Sequence, residues 1–107
     1  MKPAPAMRGL SLLALFLTAG CVSLEQAAPP VATLGLSWSD KKLARMEQGR
    51  DIYVTRCAKC HSAEPIKKYS QMEWEKIMPK MSVKTKLTFT EDALVRDYVS
   101  GVLGCGL

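Results

Sequence analysis

The stretch Cys57-Ala58-Lys59-Cys60-His61 constrains this 107-residue chain more than any other feature. Two thiols stand three positions apart, and the only histidine follows at once. At a helix end, Cys57 and Cys60 share a face and His61, four residues after Cys57, projects to the same side. Two sulfurs so spaced can reach both vinyl groups of one porphyrin while the imidazole reaches its iron, and C-x-x-C-H is the sequence mark of covalent haem attachment. Two other chemistries compete. Zinc can take Cys57, Cys60 and His61 with Cys105 as fourth ligand, but adjacent Cys60 and His61 make poor tetrahedral geometry, and structural zinc sites pair two separated ligand couples. A dithiol oxidoreductase needs a strand before its active helix, whereas here a helical pattern precedes the motif.

The beginning of the chain bears on that choice. Lys2 and Arg8 precede a short apolar run, Leu10 to Leu17, and "TAGC" follows. The run is shorter than the roughly 20 residues a bilayer core needs, and its flanks are those of an export signal. Residues 1–20 are therefore expected to be a leader. "LTAGC" resembles bacterial lipoprotein signals, with Thr18 where that family usually has leucine. The resemblance implies cleavage before Cys21 and acylation of its thiol, which would anchor the exported protein to a membrane facing the periplasm, inner or outer. Val22 in place of aspartate leans toward the outer one. Ordinary secretion, with cleavage near Ala19 and Cys21 left as a free thiol, is the alternative. Outside the reducing cytosol a free C-x-x-C would close to a disulfide; thioether formation consumes both thiols.

Residues 21–38 carry paired prolines and small residues without helical period, and read as lipid anchor and flexible tether, alternatively as an arm packed on the domain. Fully extended, fifteen such residues reach at most about 50 Å. From Ser39 the pattern turns helical. Leu43, Met46, Arg50, Tyr53, Val54 and Cys57 recur at three- and four-residue steps behind a cap at Ser39 or Asp40. A second, short helix is expected from the Ser70–Glu73 capping box through Trp74, Ile77 and Met78, halted by Pro79. A third starts at the Thr88–Glu91 capping box and carries Leu94, Val95, Tyr98, Val99 and Val102 on one face, loosened at Gly101 and Gly104. No segment alternates as a strand does, so the expected class is all-α, with residues 39–107 as the single domain. About 70 residues in three helices bury little apolar surface, and domains so small usually need a staple, metal or cofactor.

With one histidine, a second imidazole cannot complete an iron site. Met78 and Met81 in "IMPKM" are the candidates, while Met72 and Met46 read as packing residues. "EQGRDIYVTRCAKCH", "WEKIMPKM" and "LTFTEDALVRDYVSG" together resemble the small class I cytochromes c over residues 40–102. The resemblance implies about three helices around one haem c held through Cys57 and Cys60, with Gly49 and Tyr53 of the first helix crossing the last at Tyr98. It also implies His61 and Met81 as axial ligands, Trp74 seven positions before a methionine being typical of the short members. Methionine ligation raises the potential. A six-coordinate iron leaves no position for a small-molecule substrate, so the implied function is one-electron transfer between redox proteins, not catalysis. A fixed subunit of a larger oxidoreductase, and a five-coordinate sensor or peroxidase, are the alternatives.

The net charge of +5 falls to +3 once Lys2 and Arg8 leave with the leader. Lys59, Lys67, Lys68, Lys80, Lys84 and Lys86 flank the expected haem segments and can steer an acidic redox partner, or simply be a solvated surface. No nucleic-acid motif accompanies the sequence pI of 9.2. Cys105 is left over, either a buried tail residue or the source of an intermolecular disulfide.

Overall fold

The computed structural model describes residues 23–34, 37–58 and 63–104. These form four helices, with no strand among the described residues: α1 (Leu24–Ala27), α2 (Asp40–Ile52), α3 (Gln71–Thr85) and α4 (Phe89–Leu103). A π-helical turn, Tyr53–Cys57, extends α2, and short 3₁₀ turns fall at Val31–Leu34 and Ile66–Lys68.

The helix starts follow from local side-chain chemistry. Ser39, Ser70 and Thr88 each accept a backbone N–H at the N-terminus of α2, α3 and α4, and Glu73 and Glu91 complete reciprocal capping boxes. At the C-termini the chain turns left-handed, at Gly104 (φ 76°) after α4 and at Lys86 (φ 55°) after α3.

The tertiary frame is the crossing of α2 and α4. A Cβ on Gly49 would overlap the Leu94 carbonyl and lie 2.9 Å from the Tyr98 Cβ, so only glycine permits this approach. The expected meeting of Gly49, Tyr53 and Tyr98 is observed: the two tyrosine rings pack with centroids 6.3 Å apart. Met46, Val95, Tyr98 and Val99 are fully buried around the crossing. Arg45 and Asp97 pair across it at 2.7 Å, on the surface where such pairs contribute little. Gly101, expected to loosen α4, lies inside it instead, buried against Met46 and Trp38.

Three further expectations are corrected. First, α3 does not stop at Pro79 but runs to Thr85. A mid-helix proline removes one hydrogen bond and strains its predecessor, costing about 3 kcal/mol, but Pro79 is exposed, and Met81 beyond it continues the inward stripe of Trp74, Ile77 and Met78. Second, Met72 is not a packing residue. It is 70% exposed, nine residues before Met81 and so half a turn out of phase with the inward face. Third, the segment read as a free tether is folded onto the domain over residues 23–34. Ala27, Ala28 and Val31 are buried, Arg50 Nε donates to the Ala28 carbonyl at 3.0 Å and Tyr98 Oη to the Pro29 carbonyl at 2.6 Å. Two prolines and small side chains, which suggest a linker, are also what lets a chain lie flat across a helix pair.

The crossing predicts that Gly49→Ala loses about 2 kcal/mol or more in urea unfolding, overpacking outweighing the helix-propensity gain of alanine. Lys86→Gly should gain roughly 0.5–1 kcal/mol by relieving the left-handed strain, read as a higher urea midpoint at unchanged slope.

Candidate functional site

Where α2 ends, Tyr53 and Cys57 turn toward a cavity closed on its other side by α3. The π turn that carries them is supported by Thr55, whose hydroxyl donates to the Asp51 carbonyl at 2.6 Å. Such turns widen a helix locally and recur at functional sites. Here the turn ends with Cys57 at the cavity wall, 8% exposed and without a disulfide partner among the described residues. Burial pushes its thiol up from the ordinary value, opposed by Arg56, so the sulfur is held as a neutral thiol and not as a reactive thiolate.

The opposite wall comes from one face of α3. Trp74, Ile77, Met78 and Met81 all line the cavity. Both candidate methionines are therefore brought to the same space as Cys57, Met78 fully packed and Met81 half-buried. Aromatic edges seal the floor: Trp74 meets Tyr69 at 5.5 Å and Tyr53 at 6.2 Å between centroids, both edge-on. Two polar tips of these rings bind the chain just after the cysteine motif. Tyr53 Oη donates to the Glu64 carbonyl, and Trp74 Nε1 to the Ile66 carbonyl at 2.8 Å. Segment 63–66 is thus fixed to the cavity rim.

The cavity measures about 180 Å³ and its walls are mostly apolar and aromatic. An apolar cavity of roughly 150 Å³ suffices to bind a benzene-sized ligand.

Arg56 is a residue that sequence reasoning missed. Its guanidinium pairs with Glu91 and donates to the carbonyls of Thr85 at 2.9 Å and Lys86 at 3.1 Å. It thereby ties the residue before Cys57 to the end of α3 and the start of α4. The Thr88 N–H and then Arg56 hold the Glu91 carboxyl below the usual carboxylate range. Ser82, beside Met81, donates to Asp92, which also pairs with Arg96. Partners some thirty residues distant leave no local signal in the sequence.

Cys60 and His61 lie outside the described residues, as do Cys21, Lys59 and Cys105. Lys67, Lys68, Lys80, Lys84 and Lys86 are exposed; Lys68 pairs with Glu64 at 3.2 Å and sits over the Tyr69 ring. Among the described residues no three His, Cys, Asp or Glu side chains gather as a metal site, and no helix is long and apolar enough to cross a membrane.

No protein family, no curated protein and no solved structure matches this chain.

The tyrosines of the crossing predict an alkaline limit. Burial pushes Tyr98 up to about 12, against an opposing effect of Arg50, and burial then neighbouring Cys57 and Glu64 push Tyr53 higher still. The folded protein holds these protons more tightly than the unfolded chain, so their contribution is complete below pH 10 and is lost as pH rises through about 12. The raised Cys57 thiol should begin a decline in urea stability above about pH 8, and above about pH 10 the loss should steepen by up to about 1.4 kcal/mol per pH unit for each tyrosine. Tyr98→Phe should remove one tyrosine's share of that slope.

Proposed function

We propose that the chain is a small exported c-type cytochrome that carries single electrons. One haem would be held by thioethers from Cys57 and Cys60, with His61 and Met81 as the iron's axial ligands. The single observation that carries this reading is that Cys57, at the head of the C-x-x-C-H motif, lines the same apolar cavity as Met81 and Met78. Among the described residues the donor chemistry fits such a group, while the cavity of about 180 Å³ holds only part of a porphyrin. Cys57 is a protonated thiol, the form that can add across a vinyl group with its own hydrogen and no outside oxidant. A methionine thioether stands on the facing helix, and aromatic rings line the floor.

When bound, the group supplies a one-electron couple, and axial methionine raises its potential. The protein's part is to keep both ligand-bearing elements at fixed separation, so that little rearranges when the electron moves. Arg56 braces the cysteine end against the α3–α4 elbow, and Tyr53 and Trp74 hold the chain that follows the motif. With His61 and Met81 both binding the iron, no substrate site would remain, and the reading is of a carrier and not an enzyme. Lys80, Lys84 and Lys86, clear of acidic side chains over residues 76–90, would steer an acidic redox partner toward this end. Acylation of Cys21 would hold the carrier to a membrane on the periplasmic side.

Ligation is tested by spectra of two variants made with a haem-attachment system. Met81→Ala should abolish the far-red methionine–iron band of the oxidised protein and lower the potential, while Met78→Ala keeps the band and loses about 2–4 kcal/mol of stability. A band that vanishes in Met78→Ala and persists in Met81→Ala assigns the ligand to Met78. The native protein lacking the band in both redox states overturns six-coordinate electron transfer.

A further inference from the structure

We propose that residues 23–34 are a strap that seats the folded body directly on a lipid bilayer, confining its partners to proteins whose redox groups lie at that same surface. The inference rests on the reading of Cys21 as an acylated anchor and adds where the body must then sit. The described residues begin at Ser23, which caps α1 through a reciprocal bond with Gln26. Only Val22 separates that cap from Cys21, and two residues span at most about 7 Å. A free fifteen-residue tether would wander over roughly 20 Å.

What removes the tether is the hold on the strap. Ala28 is 0% exposed and Val31 is buried with it. The carbonyls of Ala28 and Pro29 accept from Arg50 of α2 and Tyr98 of α4, so the strap is pinned to both helices of the central crossing. Lifting it would strip apolar contacts and leave the buried Tyr98 hydroxyl without its acceptor. Beside the strap, Glu47, Arg50 and Asp51 of α2 line a shallow cleft with Pro30, Val31 and Ala32. This face carries more acid than base, so covalent reach and not charge attraction sets the seat. Its consequence is a carrier that moves laterally with its anchor and cannot swing outward to a soluble partner.

The test uses the full chain expressed with its leader in a bacterial host, its acyl content read by intact mass, reconstituted into phosphatidylethanolamine/phosphatidylglycerol vesicles. A fluorescent amino acid at the exposed Glu47 position serves as energy donor and a headgroup-labelled lipid as acceptor. A twenty-residue Gly/Ser insert between Val22 and Ser23 adds roughly 25 Å of reach. Transfer should be at least twofold stronger without the insert, and Ala28→Glu, which expels the strap, should fall to the level of the insert variant. If Ala28→Glu does not fold, the insert alone decides. Equal transfer with and without the insert, in acylated and vesicle-bound protein, overturns the flush seat and leaves the anchor standing. Protein without acyl mass that stays off the vesicles overturns the anchor, and the seat with it.

Discussion

The approach of α2 to α4 at Gly49 is the constraint from which the rest of the molecule is built. With no side chain at that position the helix backbones nearly touch, which drives Tyr53 and Tyr98 together and leaves α2 pointing its last turn at α3. Everything functional hangs from this geometry. Tyr53 reaches forward to the chain behind the cysteine motif, Tyr98 reaches back to the strap, and Cys57 arrives at the apolar cavity against α3.

That cavity gives the cysteine motif its physical setting. A C-x-x-C-H sequence admits several chemistries, and the proposed one rests on a neutral, buried Cys57 that faces methionines and aromatic rings across an apolar cavity. The bracing around it is polar and lies at the rim: Arg56 on the α3–α4 elbow, Trp74 and Tyr53 on backbone carbonyls. Such an arrangement fixes the distance between the two walls, which is what a carrier needs if its surroundings are to stay put as charge comes and goes.

Much of this was legible in the sequence because it is local. The caps at Ser39, Ser70 and Thr88 announce their helices, whereas the meeting of Gly49 and Tyr53 with Tyr98 was expected only through the resemblance to small class I cytochromes c. What misled was also local evidence, overruled by packing. Pro79 reads as a stop, yet the inward stripe through Met81 continues the helix past it. Met72 fits the apolar count and not the phase. Paired prolines and alanines look like a linker until Arg50 and Tyr98 supply donors for their carbonyls. Arg56 gave no sign at all, since its partners at Thr85, Lys86 and Glu91 meet it only in the fold.

The central claim is that a porphyrin is covalently joined to this polypeptide at Cys57 and Cys60. The most direct measurement is the intact mass of the purified, processed protein under denaturing conditions, with the absorption spectrum of the same sample. The account predicts one haem of added mass that survives denaturation and acid extraction, together with an intense Soret band. A polypeptide of unmodified mass, or a haem that washes away on unfolding, would contradict it.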